Sequence, residues 1–335
     1  MRNRLILLTT FLLFISFFGC KKDEVSTTPL LLNSETTSFL ESVYFTDINT
    51  GYAVGSNSKG TMKGIILKTI NAGKTWTEIP FTVNNQFITI LTSIYFTSSD
   101  IGYAVGWTGT IIKTVDAGNT WSPLSSGTMN DLHSIYFTSA DIGYAVGNGG
   151  SMIKTADAGK TWTTVSYGTS HSYPNVTSIY LLNSNSGIAV GGSGVMLKTI
   201  DPVYSGGFTW VEYSGLNSNE LPGHLSSVQF VDANTGFAVG GSDNAGTVLK
   251  TIDGGKSWSI VLNKEYNMLF SVYFTSPDNG YAVGQAGTII KTVDGGDSWE
   301  KIPSGTDSNL NSVFFTGANS GYIVGGNGVI LKLQN

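Results

Sequence analysis

One phrase returns seven times along this chain: a short strand of the type S-(V/I)-(Y/Q/F)-(F/L), a turn, then G-(Y/I/F)-(A/I)-V-G. It starts at Ser42, Ser93, Ser134, Ser178, Ser227, Ser271 and Ser312, a mean spacing of 45 residues. Self-similarity at such a period defines a repeat architecture in which copies of one supersecondary unit stack on each other. Each unit reads as four short strands, namely SVYF, GYAVG, a (T/V)-(I/M/V)-(I/L)-K-T run and a TW segment, separated by Gly, Asn, Asp and Ser turns. The expectation is an all-β chain, a seven-bladed β-propeller of four-stranded antiparallel blades. The seventh unit ends after Leu333 without its Trp strand, while Leu30-Leu31-Leu32 stand ahead of the first unit with no blade of their own. Pairing the two would cover an open sheet edge, so the last blade is predicted to be closed by the N-terminal strand.

A second signature, T-x-(D/N)-x-G-x-(T/S)-W, joins the third strand to the fourth. Its copies place Asn71 with Trp76, Asp116 with Trp121, Asp157 with Trp162, Asp253 with Trp258 and Asp294 with Trp299. A sixth copy holds Asp201 and Trp210 around the insertion PVYSGGF. Thr and Asp flanking a tight turn bond its backbone, Gly supplies positive φ, and the indole fills the apolar layer beneath, so these residues are read as structural. The Asx series of the first turn (Asn49, Asp100, Asp141, Asn185, Asn234, Asp278 and Asn319) is likewise expected to bond the backbone ahead of it.

These residues resemble the Asp-box (BNR) repeat of sialidases and sortilin-type receptors. The longer run GYAVG-x-x-G-T-I-I-K-T-x-D-G-G-x-(T/S)-W is similar to the propeller of the photosystem II stability and assembly factors, over residues 30 to 335. That resemblance implies the fold and a docking role toward a partner membrane protein. In that family the docking surface is basic and rich in Arg, whereas here the only arginines are Arg2 and Arg4. A photosynthetic partner is therefore not expected.

Residues 1–19 read as an export signal: two arginines, the apolar run Leu5 to Phe18, and Gly19. A run of fourteen residues is too short for a permanent span. Cys20, the single cysteine, resembles a bacterial lipoprotein processing site, which implies lipidation at Cys20 and a tether over 20–29. Lys21-Lys22-Asp23-Glu24 resembles the export signal of surface lipoproteins, the alternative being a solvated linker, and the location expected is the cell envelope, at the outer membrane or cell surface. Beyond the signal, 16 lysines face 23 acids with no arginine, which argues against nucleic acid as a partner. No pair of cysteines exists for an internal disulfide, so stability rests on stacked blades, and a monomer is expected.

Positions held in every unit serve the blade, and only positions that vary are available for recognition. The periodic lysines Lys68, Lys113, Lys154, Lys198, Lys250, Lys291 and Lys332 read as stems packed on their blades with each ammonium meeting a carboxylate. Variation gathers in the loops of one end. The residue before each SVYF is Glu41, Thr92, His133, Thr177, Ser226, Phe270 or Asn311, a series expected at the mouth of the central channel. Trp107 is the only Trp outside an Asp box, and insertions bring His171, Tyr173, Glu220 and His224 to the same end. Trp107, His133, His171, Tyr173, His224 and Phe270 are the candidate partner-binding residues, aromatic anchors in a polar rim.

No nucleophile elbow, zinc-helix or phosphate-loop motif occurs, and the carboxylate-gripping arginines of sialidases are absent. The three His lack a ligand spacing, so neither a metal nor another cofactor is expected. The reading is a lipid-anchored, non-catalytic protein-interaction scaffold with a protein partner in the envelope. The alternative is a carbohydrate-binding or glycoside-hydrolase propeller, with Glu41, Asp131, Glu220 and Asp243 as its acids.

Overall fold

The computed structural model describes residues 28–57, 63–81, 90–168, 174–183, 186–200, 209–213, 223–242, 245–263 and 265–334. Cys20 and the rest of the signal, together with His171, Tyr173, Asn185, Asp201, Glu220 and Asp243, lie outside them.

Seven sheets follow the seven repeats. Blade 1 runs Phe39–Phe45, Gly51–Ser56, Gly64–Thr69 and Thr77–Glu78, each strand antiparallel to the next. The inner strand of each blade packs on that of the following blade, and Phe39–Phe45 packs on Leu310–Gly317, so the ring is closed. In the last blade Leu30–Leu32 pairs antiparallel with Ile330–Gln334 in the outer place, as the repeat count demands. One addition was not legible in the repeats. Tyr167–Gly168 runs on from blade 3 and pairs in parallel with Thr209–Glu212, giving blade 4 a fifth strand.

The blades stack through a repeated aromatic set. Tyr52, from GYAVG of blade 1, lies 4.3 Å from Phe96 of blade 2, and Trp121 of the blade 2 Asp box meets the same Phe96 edge-on at 6.1 Å. Tyr103, Phe137 and Trp162 repeat this at the next interface. SVYF, GYAVG and TW therefore recur together because each supplies one member of a core shared between neighbouring blades. Blade 4 substitutes Leu181 for the Phe, and its Trp210, 2% exposed, packs against Tyr144 instead. Trp162 is only half-buried, unlike the other described Asp-box indoles.

Candidate functional site

Every inner strand opens with the same irregularity. Its register against the second strand slips between Leu40 and Ser42, Leu91 and Ser93, Leu132 and Ser134, Val176 and Ser178, Leu225 and Ser227, Leu269 and Ser271, and Leu310 and Ser312. The extra residue is in each case the variable one: Glu41, Thr92, His133, Thr177, Ser226, Phe270 or Asn311. A β-bulge re-aims the inserted side chain, and here seven bulges present six kinds of side chain, Thr twice, around one opening. The closing glycine of GYAVG is the counterpart of the bulge. A Cβ on Gly147 would be driven into the carbonyl oxygen of Asp131, and one on Gly55 into that of Phe39.

Glu41, Thr177, Ser226, Phe270 and Asn311 line a cavity of about 600 Å³ together with His224, Phe39, Asp307 and Asn309. Two expected anchors, His224 and Phe270, thus share one site. His133 belongs to the same end. Its Nε2 stands 2.7 Å from Asn148 Oδ1, whose own Nδ2 donates to Asp131. Burial first, and then the nearby His133, push the His224 imidazole down from its usual value, which favours the neutral ring. Trp107 is half-buried on the turn Trp107–Gly109, with its N–H donated to the Ile90 carbonyl. The next residue, Thr108, donates its N–H to the Asp131 carboxylate at 2.8 Å. Asp131, an acid of the glycan-cleaving alternative, is therefore committed to bracing two loops. Among the described residues no group of three His, Cys, Asp or Glu gathers as a metal cage would.

Variability did not translate directly into freedom to bind. Thr92 Oγ1 donates to the Leu132 carbonyl at 2.6 Å, Thr177 Oγ1 to that of Leu225 at 2.6 Å, and Asn311 Nδ2 to that of Leu40 at 2.9 Å. These three residues tie each blade to the next. Two others are left unanswered. Ser226 Oγ is buried with no hydrogen-bond partner among the described residues, and burial raises the carboxyl of Glu41 from its ordinary value.

Deeper along the inner strands the channel wall is scaffold. Serine hydroxyls accept N–H groups across blades, as Ser42 does from Ile94 and Ser312 from Val43. Below them Tyr273, Phe314, Tyr44, Tyr95, Tyr136 and Tyr180 form an arc of ring contacts 4.9–5.5 Å apart, and Gln229 stands in the remaining repeat position. Tyr44 and Tyr95 each donate to a carbonyl of the following blade, and burial pushes their phenols up.

The opposite end carries the repeated Asp-box turns, described in five blades. In blade 2, Thr114 Oγ1 donates to Asp116 at 2.8 Å and accepts from Gly118 N–H at 2.8 Å, while the Thr120 N–H and hydroxyl donate to the same carboxylate. Asp157, Asp253 and Asp294 repeat the pattern, and Asn71 reproduces it with an amide. Two expectations need correction here. In the first turn the bonding side chain is the residue two before the Asx, such as Asp47, which accepts from the N–H groups of Asn49 and Thr50. The Asx itself contributes its carbonyl, as Asn49 O does to Ala72 N–H, because the Asp-box turn folds over it. The lysines lie over rings of their own blades, Lys113 over Tyr103 and Lys332 over Tyr322. Three of their ammonium groups meet turn carbonyls of the next blade, Ala117 for Lys68, Ala158 for Lys113 and Ala72 for Lys332, and Lys250 with Asp297 makes the expected ion pair.

Sequence reasoning missed Phe39, Asp307 and Asn309. Phe39 and Asn309 stand two residues before a bulge, where the seven blades carry Phe39, Ile90, Asp131, Asn175, His224, Met268 and Asn309. That second variable series was available from the same internal alignment.

The molecule is thus an Asp-box propeller with one end of repeated turns and one end where variable residues converge on a cavity. The chain belongs to the family of the Photosynthesis system II assembly factor YCF48, which it matches over residues 24–129, 123–200, 209–306 and 260–334. Among solved structures, YCF48 bound to D1 peptide superposes with a TM-score of 0.71 at 18% identity, over 92% of this chain and 97% of that one. YCF48 from Cyanidioschyzon merolae gives 0.70 at 20% identity, over 92% and 98%. The WD40 β-propeller domain of Doa1 gives 0.68 at 12% identity, over 92% and 96%. At these identities the structural likeness establishes the fold alone. No curated protein matches the chain.

Proposed function

We propose that this protein is a lipid-anchored propeller of the cell envelope or cell surface that docks a protein partner on its channel-mouth end and performs no catalysis. The observation that carries this reading is the division of labour between the two ends. At the Asp-box end the polar groups of successive blades are committed to the same turn bonds, which offer little specificity. At the mouth end the blade-specific side chains Glu41, His133, Ser226 and Phe270 gather around an opening, with Trp107 nearby on its own turn. Aromatic anchors within a polar rim are what a protein contact uses. Family membership supports a scaffold role, and the solved YCF48 with a bound D1 peptide supports a polypeptide as the class of ligand. The lipid anchor rests on the apolar run ending at Gly19-Cys20.

The test is capture from solubilised envelope membranes. Trp107→Ala and Phe270→Ala are expected to weaken recovery of the partner while the melting temperature is retained, whereas Asn49→Ser and Asn319→Ser leave recovery unchanged. Loss of the partner only with the second pair would place docking at the other end.

A further inference from the structure

We infer that the channel mouth is a receptor for a basic side chain, a lysine or arginine inserted from the docked polypeptide, with Glu41 as its counter-charge. The inference rests on the docking reading above and names the chemistry of its central contact. Glu41 is a bulge residue and lines the cavity at the opening. Among the described residues no hydrogen bond or ion pair reaches that carboxylate, although the equivalent Thr92, Thr177 and Asn311 are each tied to the next blade. A carboxylate partly withdrawn from water and left without a partner among the described residues is costly to hold, and the partial burial raises its titration. A cation arriving from a ligand removes the penalty.

The rest of the cavity suits the same guest. Phe270 and the 46% exposed Phe39 provide aromatic surface for an alkyl stem or for a cation over a ring face. Asp307 adds a second negative charge at the rim, and burial, then His133, lowers the His224 imidazole and so favours its uncharged form. Ser226 Oγ, buried on the same cavity and unpartnered among the described residues, awaits a polar group of the incoming chain. The periodic lysines that would compete for Glu41 are held at the opposite end against rings and turn carbonyls.

The experiment titrates the full-length protein in detergent with the peptide acetyl-Gly-Gly-Lys-Gly-Gly-amide and with its Nε-acetyl-lysine form, read by calorimetry or by chemical shifts. The lysine peptide is expected to bind about tenfold or more tightly than the acetylated one. Glu41→Gln, close to isosteric, is expected to abolish that difference, and Ser226→Ala to weaken the lysine peptide severalfold. Asp141→Asn, a carboxylate of the opposite end, is expected to preserve the difference. The inference is overturned if wild type does not discriminate the two peptides, or if Glu41→Gln discriminates them as well as wild type. It is equally overturned if a neutral oligosaccharide such as chitotetraose binds the mouth and the lysine peptide does not. Partner capture through Trp107 and Phe270 is read separately. Intact capture with no lysine preference removes this contact and leaves the docking end standing, and failed capture removes the docking end itself.

Discussion

Tyr322 in the last blade donates its hydroxyl to the carbonyl of Ala72 in the first, at 2.9 Å and across 250 residues of chain. Its ring lies 4.0 Å from that of Phe45, and Lys332 reaches the same Ala72 carbonyl at 3.4 Å. Tyr52 with Ala117 and Tyr103 with Ala158 make the equivalent bond between neighbouring blades. The ring therefore closes through the same contact that joins blade 1 to blade 2 and blade 2 to blade 3, and the sheet edge left at the closing blade is covered by Leu30–Leu32.

Removal of residues 26–34 is expected to produce an unstable or aggregating protein. It deletes the outer strand of the last blade and the Ser34 hydroxyl that donates to the Gly328 carbonyl at 2.6 Å. An exposed edge then invites pairing with other chains. A thermal melt and light scattering on the truncated protein check this, and a melt identical to full length would refute the closing role.

The Asp-box indoles differ in burial, so they are expected to differ in cost. Trp121, 6% exposed and edge-on to Phe96, should lose about 3 to 5 kcal/mol on substitution by Ala, as large-to-small core changes do. The half-buried Trp162 should lose less. Urea denaturation of the two single variants compares them directly.

Acid should act on the Asp boxes. The hydroxyl and then the amide of Thr120 hold Asp116 at about 2 against an ordinary 3.8, and Thr161, Ser257 and Ser298 do the same for Asp157, Asp253 and Asp294. A carboxyl lowered by folding stabilises the native state fully above its unfolded value and ceases to do so as pH falls through the folded one. Their contribution is thus expected to disappear between about pH 4 and about pH 2. Melting temperature followed over that window should fall, and Asp116→Asn should shrink the fall.

If Cys20 carries the anchor, the wild-type protein takes up a palmitate analogue and partitions with membranes, and Cys20→Ser moves it to the soluble fraction. Absence of label on the wild type would sink the anchor.

Much of this architecture was legible in the amino-acid order. The period, the four strands per unit and the Asp-box turns follow from pairings between residues close in sequence, and counting the repeats assigned Leu30–Leu32 to the last blade although its partner Ile330–Gln334 lies at the far end of the chain. Repetition also acted as an internal control that separated invariant from variable positions. What it left open was the fate of each variable side chain, because that depends on a neighbouring blade some forty residues away. Thr177 and Ser226 look alike as small hydroxyl residues at one repeat position. Only the packing of adjacent blades ties Thr177 to the Leu225 carbonyl and leaves Ser226 without a partner among the described residues. The same holds for Glu41, whose isolation at the cavity is set by a bulge and by the backbone around the ring, where local sequence carries no signal.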